Sequence, residues 1–146
     1  MELLYYDGST WETVWKPGDP FYSQEDLLNV GTLWTPNINQ VVVATSGYSS
    51  TAVFLHEQED FSEYTLLFEP SWGIYSIHGN NVNDFFYGGP LQLVGHYNGN
   101  TIKEFNEFTG SGYCLGVAQK GNIVIAVLNS NIYPYPVSVA KELRIE

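Results

Sequence analysis

The chain has little positive charge. Five Lys and Arg stand against 16 Asp and Glu, for a formal net charge of -11 at pH 7. A surface of that sign repels phosphate backbones, so no nucleic-acid partner is expected. An anionic bilayer is disfavoured for the same reason. The single cysteine, Cys114, rules out an internal disulfide; it lies in the apolar run Tyr113-Cys114-Leu115-Gly116-Val117-Ala118, where a thiol is an inert core group. No apolar run approaches the ~18 residues of a membrane span. The opening Met1-Glu2-Leu3-Leu4-Tyr5-Tyr6 has neither the basic nor the long apolar region of a signal peptide. Cys-x-x-Cys, His-Glu-x-x-His, an EF-hand loop, a Gly-rich phosphate loop and Gly-x-Ser-x-Gly are all missing. No metal and no cofactor are expected.

What the chain does have is aromatic residues and turn formers. Aromatics make up 16% of 146 residues, and there are 14 Gly. A core can be filled within one domain, and the composition suits short strands joined by tight turns. Asp7-Gly8, between Leu3-Leu4-Tyr5-Tyr6 and Thr10-Trp11-Glu12-Thr13-Val14-Trp15, predicts a hairpin. Phe21 to Asn29 reads as a polar connector, with one helical turn at Ser23 to Asp26. Strands are expected in Leu28 to Trp34, Gln40 to Thr45, Thr51 to Leu55 and Phe61 to Phe68. Three apolar runs punctuated by Gly and Asn follow between Trp72 and Ile102, and further strands at Tyr113 to Ala118, Asn122 to Leu128 and Val137 to Ile145.

The pattern is self-similar. Leu33 to Ser46 aligns without gaps on Ile77 to Pro90, 44 residues on, and Tyr6-Asp7-Gly8-Ser9-Thr10-Trp11 aligns with Tyr97-Asn98-Gly99-Asn100-Thr101-Ile102, 91 residues on. A period of about 40 to 45 residues with four strands in each is the mark of propeller blades, whose sheets cannot bury both faces alone. The expected fold is all-β: blades of four antiparallel strands, about 3.25 of them, in a partial or self-assembling β-propeller. The blade units run approximately over 2–16, 27–70, 72–110 and 112–146 of one domain.

Leu4 to Glu12, Ile74 to Phe86 and Val94 to Gly99 resemble a bacterial β-propeller repeat with a Tyr-Asn/Asp-Gly-x-x-Trp hairpin. The repeat is loosely similar to Asp-box and YVTN-type propellers. The resemblance implies an extracellular or cell-surface protein. Propellers usually have about 4 to 8 blades, so two outcomes follow: the chain is part of a longer propeller whose N-terminal portion is missing, or it closes by self-association.

Aromatic faces suit sugar rings, with Asn and Asp supplying hydrogen bonds. The candidate ligand-binding residues are Trp15, Trp34, Trp72, His78 and Asp84. Trp15 stands beside Lys16-Pro17-Gly18 with no aligned aromatic. His78 occupies the place of Trp34 one period on. His56 and His96 read as near-equivalent positions. Equivalent places in adjacent blades are expected to lie far apart, which disfavours a shared metal. Asn80-Asn81-Val82-Asn83-Asp84 offers oxygen ligands of the kind calcium takes, but these are also ordinary turn residues, and the turn reading is preferred. The acidic stretch Glu57, Glu59, Asp60, Glu63 and Glu69 reads as solvated turns. A lone arginine, Arg144, argues against sialidase chemistry. No catalytic residue is assigned. The expected function is a non-catalytic module binding protein or carbohydrate. The alternative is a glycan-active hydrolase or lyase, which needs Glu57, Asp60 and Asp84 to converge.

Overall fold

The computed structural model describes residues 3–6, 8–15, 30–37, 39–45, 51–57, 64–108, 110–130 and 137–144. These form antiparallel sheets and a 3₁₀ turn at Asn106–Phe108. Strands β1 (Leu3–Tyr6) and β2 (Trp11–Trp15) make a hairpin. Strands β3 (Val30–Asn37), β4 (Gln40–Thr45), β5 (Val53–Glu57) and β6 (Thr65–Phe68) pair in chain order as a four-stranded sheet. Strands β7 (Ser76–Asn81), β8 (Asp84–Gly88), β9 (Val94–Tyr97) and β10 (Ile102–Glu104) make a second. Strands β11 (Gly112–Lys120), β12 (Ile123–Ser130) and β13 (Val137–Arg144) make a three-stranded sheet. The helical turn expected at Ser23 to Asp26 and the residues Glu59, Asp60 and Glu63 lie outside the described residues.

The hairpins share registers. Asn37 pairs with Gln40 and Trp34 with Val42; 44 residues on, Asn81 pairs with Asp84 and His78 with Phe86. The turns are built alike. Asn37 Oδ1 accepts the Asn39 N–H at 2.9 Å, and Asn81 Oδ1 accepts the Asn83 N–H at 2.8 Å. An Asn side chain thus folds the backbone two residues on. Tyr6 pairs with Trp11 as Tyr97 pairs with Ile102, around Gly8 and Gly99, whose φ angles are +103° and +89°. Positive φ at a hairpin tip is what glycine supplies without strain.

The sheets stack face to face. Val42, Ala44, Val53 and Leu55 of the first four-stranded sheet pack on Ile77, Phe85, Tyr87 and Tyr97 of the second. The opposite face of that second sheet offers Phe86 and Val94 to Cys114, Val117, Val124, Ala126 and Leu128 of the three-stranded sheet. Burial follows the stacking. Along β8, covered on both faces, Phe85 to Gly88 are buried without a break, and along β4 Val42 to Thr45 are buried as well. Strand β12 alternates, with Val124, Ala126 and Leu128 buried and Ile123, Ile125 and Val127 exposed, as expected when one face is covered. The first strands sit together at the joints: β7 lies against both β3 and β11.

The β8–β9 connection is a tight turn. The Leu93 N–H donates to Pro90 O at 3.0 Å, with Leu91 and Gln92 both left-handed at φ +56° and +57°. Each such non-glycine residue costs about 1–2 kcal/mol. The strain is held by the neighbouring sheet: Gln92 N–H donates to Gly112 O at 3.0 Å, and Gln92 Nε2 to Asn129 O at 3.2 Å.

Candidate functional site

The joint between the second and third sheets carries a concentrated polar cluster. Asp84 opens β8, at the end of the sheet where β7 turns back. His96 lies on β9, one strand over. Its Nε2 is 2.8 Å from Asp84 Oδ1. Asn80 Nδ2 donates to Asp84 Oδ2 at 2.7 Å, and Gln119 Nε2, arriving from β11, donates to the same oxygen at 3.1 Å. Gln119 Nε2 also donates to Gly121 O at 3.2 Å, so both its amide protons are engaged and the amide orientation is settled. Asn80 clasps the β11–β12 turn, donating to Gly121 O at 2.9 Å and accepting the Gly121 N–H at 3.0 Å.

Burial works to raise the Asp84 carboxyl, but hydrogen bonds from His96, Asn80 and Gln119, with the charge of His96, outweigh it. Its pKa lies below the ordinary carboxylate value, and the group is ionised at neutral pH. An ionised carboxylate only accepts, so the His96 Nε2 carries a proton; in the neutral ring Nδ1 is then the acceptor. The His96 ring stacks on buried Phe86 with centroids 4.4 Å apart. On the edge strand β7, His78 Nδ1 accepts the Gln119 backbone N–H at 3.0 Å, which places the proton of neutral His78 on Nε2. The Trp34 ring lies 5.9 Å from His78 and the same distance from Phe85.

Three of the five residues singled out in the sequence therefore gather here. Trp34 touches His78, and Gln119 bonds both His78 and Asp84. Trp72 is exposed, just before β7, at the other end of that sheet from the β7–β8 turn. Trp15 ends β2, and its side chain lies outside the described residues. Gln119 carried no signal in the sequence, because it reaches Asp84 only through sheet packing. Asn80 was visible as a turn residue.

Two sequence expectations need correction. His56 and His96 are not equivalent. Val41 pairs with His56, and Phe85, 44 residues on, pairs with Tyr97. His56 thus corresponds to Tyr97 and is buried, whereas His96 corresponds to Leu55. A one-residue slip puts the two histidines on opposite sheet faces. Equivalent residues of adjacent sheets are also not always distant: Trp34 and His78 touch because the first strands lie side by side.

The side-chain oxygens of Asn80, Asn81 and Asp84 are used within the protein, and no group of three or more His, Cys, Asp or Glu suited to a metal occurs among the described residues. Cys114 is fully buried, and burial raises its thiol pKa to about 11, which keeps it protonated and unreactive. No described helix is long and apolar enough to cross a membrane. No protein-family model, curated protein or solved structure matches the chain.

Proposed function

We propose that this chain is a non-catalytic binding module of the propeller type, displayed outside the cell, that engages carbohydrate at the joint formed by Trp34, His78, Asp84 and Gln119. One observation carries the reading: a half-buried tryptophan ring and a polar cluster drawn from three sheets meet at one place, and the Gln119 side-chain oxygen there has no partner among the described residues. Neutral sugars suit such a surface, since they combine apolar ring faces with hydroxyls and do not oppose an acidic protein. The extracellular placement rests on the sequence resemblance alone.

Binding is favoured over glycan cleavage by how the carboxylates are used. Glycoside cleavage needs two carboxyls facing one bond, one of them protonated as the acid. Asp84 is ionised and engaged by His96, Asn80 and Gln119. Glu57 Oε1 accepts from Gln40 Nε2 at 2.8 Å, one sheet away. Asp60 lies outside the described residues.

Calorimetric titration against a panel of neutral oligosaccharides tests the proposal. Saturable binding is expected with at least one panel member. Trp34→Phe, which keeps the packing on Phe85, should weaken it several-fold, Asn80→Ala should weaken it too, and Trp72→Ala should leave it unchanged. Absence of binding across the panel, or equal loss in Trp72→Ala, would overturn it.

A further inference from the structure

One sheet face is out of keeping with the rest of the stack. The hairpin closed by Asn81 and Asp84 corresponds to the one closed by Lys120 and Ile123. Counting from those pairs puts Ile125 in the place of Phe86, and the stacking assigns both to the face directed at the following sheet. Phe86 is 1% exposed, covered by the three-stranded sheet. Ile125 is 46% exposed. Ile123 and Val127 flank it on β12 at 47% and 37%, and Leu115 on β11 is 52% exposed. The three β12 residues form a β-branched row roughly 14 Å long. Among the described side chains of β11 and β12, Lys120 is the one charged group on that face.

The opposite deficit is found on the first hairpin. Tyr6 and Trp11 correspond in register to Tyr97 and Ile102. Tyr97 faces the preceding sheet and is buried there against Phe68, ring centroids 5.2 Å apart. Tyr6 is 48% exposed and Trp11 68%, their rings 4.9 Å apart, with Leu4 exposed two residues before Tyr6 on the same face. The hairpin thus presents a face of the kind that seats on a preceding sheet, and the three-stranded sheet presents a face of the kind that receives one.

We infer that these two faces bind each other between copies of this chain: Leu4, Tyr6 and Trp11 of one copy dock on Leu115, Ile123, Ile125 and Val127 of the next. The contact is heterologous, joining two different surfaces, so each copy donates one face and receives on the other. The described side chains that β1, β2, β11 and β12 carry on these faces include no carboxylate, which favours approach there by copies of a chain with net charge -11; in β13 the register sets Arg144 opposite Ile123 and Glu142 opposite Ile125. The inference uses the stacking of the sheets and does not depend on the carbohydrate site.

The test uses the whole chain and two variants, Leu4→Lys and Ile125→Lys, with folding checked by circular dichroism and mass read by sedimentation. The wild-type chain should associate at about 100 µM, the upper part of the micromolar range where a modest interface still holds. Each variant alone should lose the higher assemblies. An equimolar mixture should recover a 1:1 complex, because the intact hairpin of Ile125→Lys meets the intact sheet of Leu4→Lys. A monomeric wild type would overturn the inference and point to another protein or further chain as the occupant. So would a mixture that stays monomeric, or association lost in Ile125→Lys but kept in Leu4→Lys, which marks a symmetric contact through the three-stranded sheet. Trp11→Ala repeats the hairpin arm if Leu4→Lys fails to fold.

Discussion

Gln119 joins Asp84 across two sheets. Its Nε2 donates to Asp84 Oδ2 at 3.1 Å, while its backbone N–H donates to His78 Nδ1 at 3.0 Å. One residue of β11 therefore holds both the turn end and the edge strand β7 of the neighbouring sheet. The Val117 N–H makes a similar bond to Ser76 Oγ at 3.1 Å, so the two first strands are laced along their length.

The Asp84 carboxylate should make stability depend on pH. Its folded pKa is lowered, so the unfolded state binds its proton more readily. The contribution is fully present above the unfolded value, near 4, and is lost as pH falls through the lower folded value. Asp84→Asn should cost on the order of 1 kcal/mol at pH 7, a figure kept small because the side chain is partly exposed. The gap to wild type should shrink as pH falls from 5 toward 2. Urea denaturation across that range measures it; a gap that is constant with pH would show that the charge of Asp84 is not involved.

Gly95 should not tolerate a methyl group. A Cβ there would lie 2.1 Å from the Tyr87 ring, which is fully buried. The ring covers Gly95 because the glycine leaves it room. Burial, and then the charge of Glu104, push the Tyr87 phenol far above its ordinary pKa, so the buried ring stays neutral. Gly95→Ala is expected to destabilise by about 1–3 kcal/mol, as overpacked cores do. A change in thermal midpoint no larger than that of Gly116→Ala, where no atom lies within 4 Å, would contradict this.

The left-handed turn offers the opposite experiment. Leu91 is an exposed leucine at φ +56°. Asn adopts that conformation with less strain. Leu91→Asn should stabilise the chain by roughly 0.5–1 kcal/mol, part of the left-handed penalty. Chemical denaturation measures the gain, and a loss of stability would mean that the Leu91 side chain contributes packing of greater value than the strain it imposes.

Local chemistry was legible in the residues themselves. Asp7-Gly8 and Asn98-Gly99 predicted the two tight hairpins, and both glycines have positive φ. The Asn-rich turns aligned 44 residues apart pair in the same register. Strand boundaries followed from β-branched and aromatic runs; the last expected strand, Val137 to Ile145, is described over Val137–Arg144. Such features depend on residues two to four apart, where backbone sterics and side-chain-to-backbone hydrogen bonds decide the outcome.

Other features were settled only by the tertiary structure. Nothing near Gln119 in the chain indicates Asp84, 35 residues away, and no pattern tells that Trp34 and His78 meet. Which sheet faces His56 and His96 take was hidden as well, because one residue of register exchanges the two faces of a strand while leaving its composition unchanged. The alternation in β12 indicated a strand with one covered face, but the stacking decided which face lies open. Short-range turn formation is written in adjacent residues; the meeting of sheets depends on burying apolar faces against distant partners, and that free energy belongs to the assembled stack as a whole.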